Sequence, residues 1–116
     1  MKSVQSMALI VGGSLVLSAL AFAEVDKKSE RLWKAKCSSC HGQTGTGDTD
    51  KGKQLKVEDM TTAAYQAKSD DVLTTAILNG VHTEKDGVKQ DMPGFKAELT
   101  PEQVNGLVAY IRTFKK

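Results

Sequence analysis

Apolar positions in this chain recur with a helical period in three places. The clearest lies near the C-terminus. Val104, Leu107, Val108 and Ile111 stand at i, i+3, i+4 and i+7, with Phe114 three further on. Thr100-Pro101-Glu102-Gln103 precedes them as a capping box with proline at the first helical position. Basic Arg112, Lys115 and Lys116 suit the negative end of that helix. A second helix is predicted over "SDDVLTTAILNG", Ser69 to Gly80. Ser69 can cap it, Asp70 and Asp71 suit its positive end, and Leu73, Ala76 and Ile77 share a face. Gly80 stands where helices commonly stop. A third is predicted from about Asp26 or Ser29, with Ser29 as N-cap, to Cys37; Leu32, Trp33, Lys36 and Cys37 fall on one side.

Two stretches lack this period. Gly42 to about Val57 is rich in glycine, and Val81 to Leu99 holds Gly87, Pro93 and Gly94. Neither shows sustained alternation, so little or no sheet is expected. The fold class is all-α with long connecting loops. Loops of that length usually wrap around something.

The first residues read differently. Lys2 is followed by the apolar run Met7 to Leu20, and Ala21-Phe22-Ala23 offers the small residues a signal peptidase reads. Such a run is short for a bilayer span, which needs about 20 apolar residues. Residues 1–23 are expected to be an export signal, with an uncleaved anchor as the alternative, and residues 24–116 a single domain. No cysteine sits at the cleavage point to carry a lipid. Loss of the signal removes one charge, Lys2, and takes the net charge from +2 to +1. That balance gives no basic stripe for nucleic acid and no basic amphipathic helix for a membrane surface.

A mature domain this small buries little apolar surface. Its two cysteines allow one disulfide across a two-residue gap, which would restrain the unfolded chain only slightly. A cofactor is the better candidate for completing the core.

Cys37, Cys40 and His41 bear on this directly. Cys-x-x-Cys-His reads as a c-type haem attachment site. Thiols three residues apart on a helix share a face and can add to the two vinyl groups on one porphyrin edge, and the next imidazole can turn to the iron. Two other readings exist. A thioredoxin-like redox pair usually opens a helix after a strand, and no strand is expected here. A structural zinc site needs four ligands. Cys37, Cys40, His41 and His82 are the only thiols and imidazoles, and adjacent Cys40 and His41 fit one tetrahedron awkwardly.

A haem iron would need a sixth ligand or leave a vacancy. Met92 stands in "QDMPGF", where Pro93 stiffens the loop and biases Met92 toward extended backbone. His82 and Met60 are the alternatives. A methionine in a sequence like that around Met60 more often fills the core, and a histidine like His82 more often sits in solvent.

With these features in place, residues 26–116 resemble a class I c-type cytochrome, of the small monohaem bacterial kind. Trp33 stands four residues before the first cysteine, where that family has an aromatic. Leu73, Ile77 and Gly80 match its middle helix, "MPGF" its axial-methionine loop, and "LTPEQVNGLVAYI" its last helix. Two positions depart. Ser29 replaces a frequent glycine where the terminal helices cross, and no proline closely follows His41. Tyr65 occupies the place of a tryptophan that often contacts a haem propionate.

The resemblance implies crossed N- and C-terminal helices around one covalent haem c. Cys37 and Cys40 would form its thioethers, with His41 and Met92 on its iron. Trp33, Leu107 and Tyr110 would then be core. It implies an exported, periplasmic electron carrier rather than an enzyme. Its partners would be redox proteins such as a membrane oxidoreductase, a terminal oxidase or a soluble dehydrogenase. It would be a monomer without stable membrane insertion, and Lys36, Lys89 or Lys96 near the cleft would aid docking. Two rival functions are a peroxidase-like enzyme, whose distal acid–base set could only be His82 with Glu84 or Asp86, and a gas-binding module with a displaceable ligand.

Overall fold

The computed structural model describes residues 17–116, with side chains from Lys27 onward. Residues 1–16 of the expected export signal lie outside the described residues. The described chain is largely helical. Helix α1 (Leu17–Lys36) leads directly into the short α2 (Ser38–His41), followed by α3 (Asp50–Gln54), α4 (Ala63–Gln66) and α5 (Asp70–Asn79). A hairpin of β1 (Val81–Lys85) and β2 (Val88–Met92) precedes α6 (Pro101–Arg112). No helix among the described residues is long and apolar enough to cross a membrane.

The expected caps form as the residue types dictate. The Ser69 hydroxyl accepts from Val72 N–H at the start of α5. Thr100 and Gln103 make both bonds of the capping box on α6, with Pro101 in the first turn. The start of the first helix differs from expectation. Ser29 is no cap but lies inside α1, 3% exposed. Nothing between Leu17 and Lys36 stops a helix: the stretch contains no proline or glycine and is rich in Ala, Leu, Lys and Glu.

Helix α1 packs on α6, and α5 also packs on α6. Trp33, Val104 and Leu107 are the most deeply buried large side chains. Trp33 lies edge-on to Phe114, with ring centroids 5.0 Å apart, and 6.0 Å from Tyr110. Phe114 and Tyr110 meet edge-on at 5.1 Å. These contacts join the two terminal helices, in which small Ser29 and Gly106 are also buried. The C-terminus of α6 is tied to the α4–α5 link. Arg112 Nη2 donates to Asp70 at 2.7 Å and to the Lys68 carbonyl at 2.6 Å.

The sheet is small but real, and it falls in a stretch read from sequence as loop. β1 and β2 pair antiparallel from Val81 opposite Met92 to Lys85 opposite Val88. The two residues between, Asp86 (φ 51°) and Gly87 (φ 78°), both have positive φ, as a tight type I′ turn requires. β1 is exposed throughout beyond Val81 and only β2 alternates, so hydrophobic alternation is weak. The Asp-Gly pair was the available signal.

Candidate functional site

One cavity of about 590 Å³ opens between the helices and the hairpin. Cys37, Cys40 and His41 form one wall of it, while Met92 and Met60 also face it. Local hydrogen bonds shape the cysteine wall. Cys37 N–H still donates to Trp33 O, as in a continuing helix, and His41 N–H donates to Cys37 O at 3.0 Å. Trp33 Nε1 donates to Gly42 O at 2.9 Å, so the deepest aromatic in the core grips the residue after His41. The Trp33 and His41 rings lie 5.8 Å apart. Thr49 Oγ1 donates to Cys40 O at 3.0 Å and closes the wall from outside.

Burial sets the chemistry of these groups. It pushes the Cys37 thiol up to about 11, only partly offset by the Lys36 charge, so this thiol stays protonated at neutral pH. Both cysteines are free. A redox pair wants a stabilised thiolate, and Cys37 is tuned the opposite way. Desolvation also lowers the His41 imidazole below its ordinary 6.5, which favours its neutral form. Its Nδ1 is sealed from solvent with no hydrogen-bond partner among the described residues. Among the described residues, no three His, Cys, Asp or Glu side chains gather as a metal site.

The opposite wall is carried by the hairpin. Val88, Gln90 and Met92 are half-buried along β2 while Lys89 and Asp91 are exposed, and of these Gln90, Asp91 and Met92 line the cavity. At the base of the hairpin, Gly80 has φ 77°, and a Cβ there would collide with Met92 O and Gly94 N. Phe95 and Lys96 N–H groups donate to the Ile77 and Leu78 carbonyls, which pins the chain just beyond Met92 to the end of α5.

His82 does not join the site. It points outward from β1 with its side chain 63% exposed, 3.1 Å from Asp91. Glu84 and Asp86 share that outer strand and turn, so the distal acid–base set of an enzyme is not assembled at the cavity. Met60 is buried in the core and also lines the cavity, so two thioethers, not one, reach it. Tyr65 is buried on the cavity too. Burial and nearby Glu58 push its phenol up to about 12, and Lys68 Nζ lies 4.8 Å over its ring. Of the three lysines named from sequence, only Lys36 lines the cavity, and it is held by Glu98 at 3.2 Å. Lys51, Lys56, Lys68 and Lys85 line it as well, and sequence spacing gave no hint of them.

The residues fit a c-type haem. Two free thiols line one cavity with an imidazole that burial biases to its neutral form, and two thioethers, Met60 and Met92, line it as well.

A mostly helical chain folded around one cavity, with Cys-x-x-Cys-His in its wall, is the architecture of a small class I c-type cytochrome. Residues 24–111 match the family model for cytochrome c oxidase, cbb3-type, subunit III, and the chain belongs to this family of c-type cytochromes. It is 29% identical over 113 residues to cytochrome c6 of Nostoc sp., across 96% of this chain and 92% of that protein. It is also similar to the solved KustC0563 c-type cytochrome. There the identity is 36% and the TM-score 0.63, covering 76% of this chain and 98% of that one. A point mutant of that cytochrome gives 34% and 0.61, with 76% and 99% coverage. The chain is thus a haem-based electron carrier rather than an enzyme, and its family's cofactor is covalent haem c with iron.

Proposed function

We propose that this protein is an exported, periplasmic carrier of single electrons with one haem c. In this reading residues 1–23 direct export, Cys37 and Cys40 form the thioethers, and His41 and Met92 are the axial ligands. The observation that carries it is the shared cavity: both thiols, the imidazole and the Met92 side chain line the same space. When bound, the haem iron supplies reversible one-electron chemistry.

The chain's own residues give that chemistry its character. Two protein ligands on opposite walls would keep the site closed to small molecules in both redox states. A thioether and a mostly apolar lining favour the reduced form and raise the potential. Trp33 and Gly42 hold the His41 backbone, so the imidazole need not reorganise as charge changes. Lys51, Lys56, Lys68 and Lys85 stand on the cavity walls. Lys56 and Lys68 are paired with Asp86 and Glu58, which leaves a mixed surface for brief docking to a redox protein.

A reduced-minus-oxidised spectrum of periplasm-expressed protein tests this, beside Met92→Ala. The substitution is expected to abolish the weak thioether-to-ferric band and lower the potential. An unchanged spectrum would move the ligand to Met60. Rapid carbon monoxide binding by the unsubstituted reduced protein would instead favour a gas-binding module.

A further inference from the structure

Gln90 lies two residues before Met92 on the same inward face of β2, and its amide is fully engaged. Nε2 donates to Leu55 O at 2.9 Å and to Lys56 O at 2.7 Å, while Oε1 accepts from Thr83 Oγ1 at 3.1 Å. Both Nε2 protons and the carbonyl oxygen therefore have partners. The acceptors are 35 and 34 residues away in sequence, on the far side of the cavity mouth. Their presentation is unusual. Lys56 adopts φ 52°, a left-handed conformation that a lysine rarely takes, and this turn offers two successive carbonyls to one amide. A looser tie lies further out, where Lys56 Nζ is 3.6 Å from Asp86 at the hairpin tip.

The hairpin is thus held in two separate places. Its base is fixed by Gly80 and by the bonds of Phe95 and Lys96 to α5. Its middle, where Gln90 stands opposite Thr83, is held by the Gln90 amide. Without the Gln90 bonds, β2 would lose its tie to Leu55 and Lys56 two residues before Met92, and the strand would be free to ease Met92 from the cavity while the helices stay packed.

We propose that Gln90 is a latch: a positioning residue that keeps the hairpin closed across the cavity and so sets how often the Met92 thioether leaves the iron. This rests on Met92 being the axial ligand. The latch acts through the hairpin backbone, from a side chain that also lines the cavity. Local opening of this kind scales with the bonds that must break.

The test uses the holoprotein with Gln90→Leu, Thr83→Val and Met92→Ala. Gln90→Leu removes both donors while keeping an inward side chain. It is expected to speed carbon monoxide uptake by the ferrous protein about ten-fold, the order set by losing two hydrogen bonds. It should weaken the thioether-to-ferric band and hasten amide exchange at Val88 to Met92, with exchange in α6 unchanged. Thr83→Val, which removes only the hydroxyl that Gln90 Oε1 accepts from, should act in the same direction but less, and it carries the test if Gln90→Leu does not accumulate. Wild-type carbon monoxide uptake and an intact band in either variant would overturn the latch while leaving Met92 ligation standing. A band unchanged in Met92→Ala would overturn both.

Discussion

On the cysteine side of the cavity, Trp33 to Gly42 are bonded to one another. On the methionine side, Val81 to Lys96 are bonded to α5 and to the turn at Leu55 and Lys56. The longest step in the first set is Trp33 to Gly42, nine residues. The second set reaches across 35. A wall closed by local bonds forms as its helix forms. A wall closed by distant bonds exists only once the rest of the chain is in place, because loop closure must be achieved before those bonds can form. The first side should therefore fail with the whole fold, and the second by opening alone.

The largest expected effect comes from removing what the cysteine wall would hold. Cys37→Ser together with Cys40→Ser should yield protein with no haem surviving a denaturing gel, and most of its helical circular dichroism should be lost, since so small a core depends on the group it encloses. Retained helicity in the haem-free protein would show that the walls do not need it.

Next comes Trp33→Phe, which leaves Gly42 O only the longer bond from Gly45 N–H at 3.4 Å and opens a void among Tyr110, Phe114 and His41. About 2–3 kcal/mol of global stability should be lost in urea unfolding. On the opposite wall, Gly80→Ala meets both a positive φ and the Met92 carbonyl. A cost of about 1–3 kcal/mol is expected, and it should appear as a weakened thioether band before any shift of the unfolding midpoint. If Gly80→Ala lowers the midpoint as far as Trp33→Phe with the band intact, the contrast between the walls is broken.

The smallest effect concerns the second thioether. Asp59 Oδ1 accepts from Thr61 Oγ1 at 2.6 Å and from Thr61 N–H at 2.8 Å, in a turn that encloses Met60. The hydroxyl bond, then the backbone bond, hold the Asp59 carboxyl below its ordinary 3.8. A depressed folded value means that this turn stabilises the fold above the ordinary carboxylate range and loses that contribution as pH falls through the folded value. Thr61→Val should raise the Asp59 titration midpoint, read by NMR, and leave the thioether band unaltered. A changed band would implicate Met60 on the iron.

Much of this was legible from residues alone. Ser69, Thr100, Pro101 and Gln103 announce the starts of α5 and α6 because caps are chosen by neighbours three residues away. Cys37, Cys40 and His41 were legible for the same reason. Ser29 misled, because a serine reads as a cap only if the helix stops there, and nothing before it stops α1. The hairpin was missed because its strands are short and their outer face is polar, which leaves Asp86-Gly87 as its only local mark. Gln90, Lys56 and Arg112 look like ordinary surface residues in sequence, since every partner that defines them lies in another element.

The sequence by itself determined the caps of α5 and α6, the Cys-x-x-Cys-His spacing and the kind of protein, since each is legible within a few residues; the short helices α2, α3 and α4 were not read from it. Tertiary structure alone decided that His82 faces solvent while Met60 and Met92 both reach the cavity. It alone decided that Gln90 spans the cavity mouth to Leu55 and Lys56. Which side chains share a space is set by how elements pack, and packing joins positions whose separation along the chain carries no period to read.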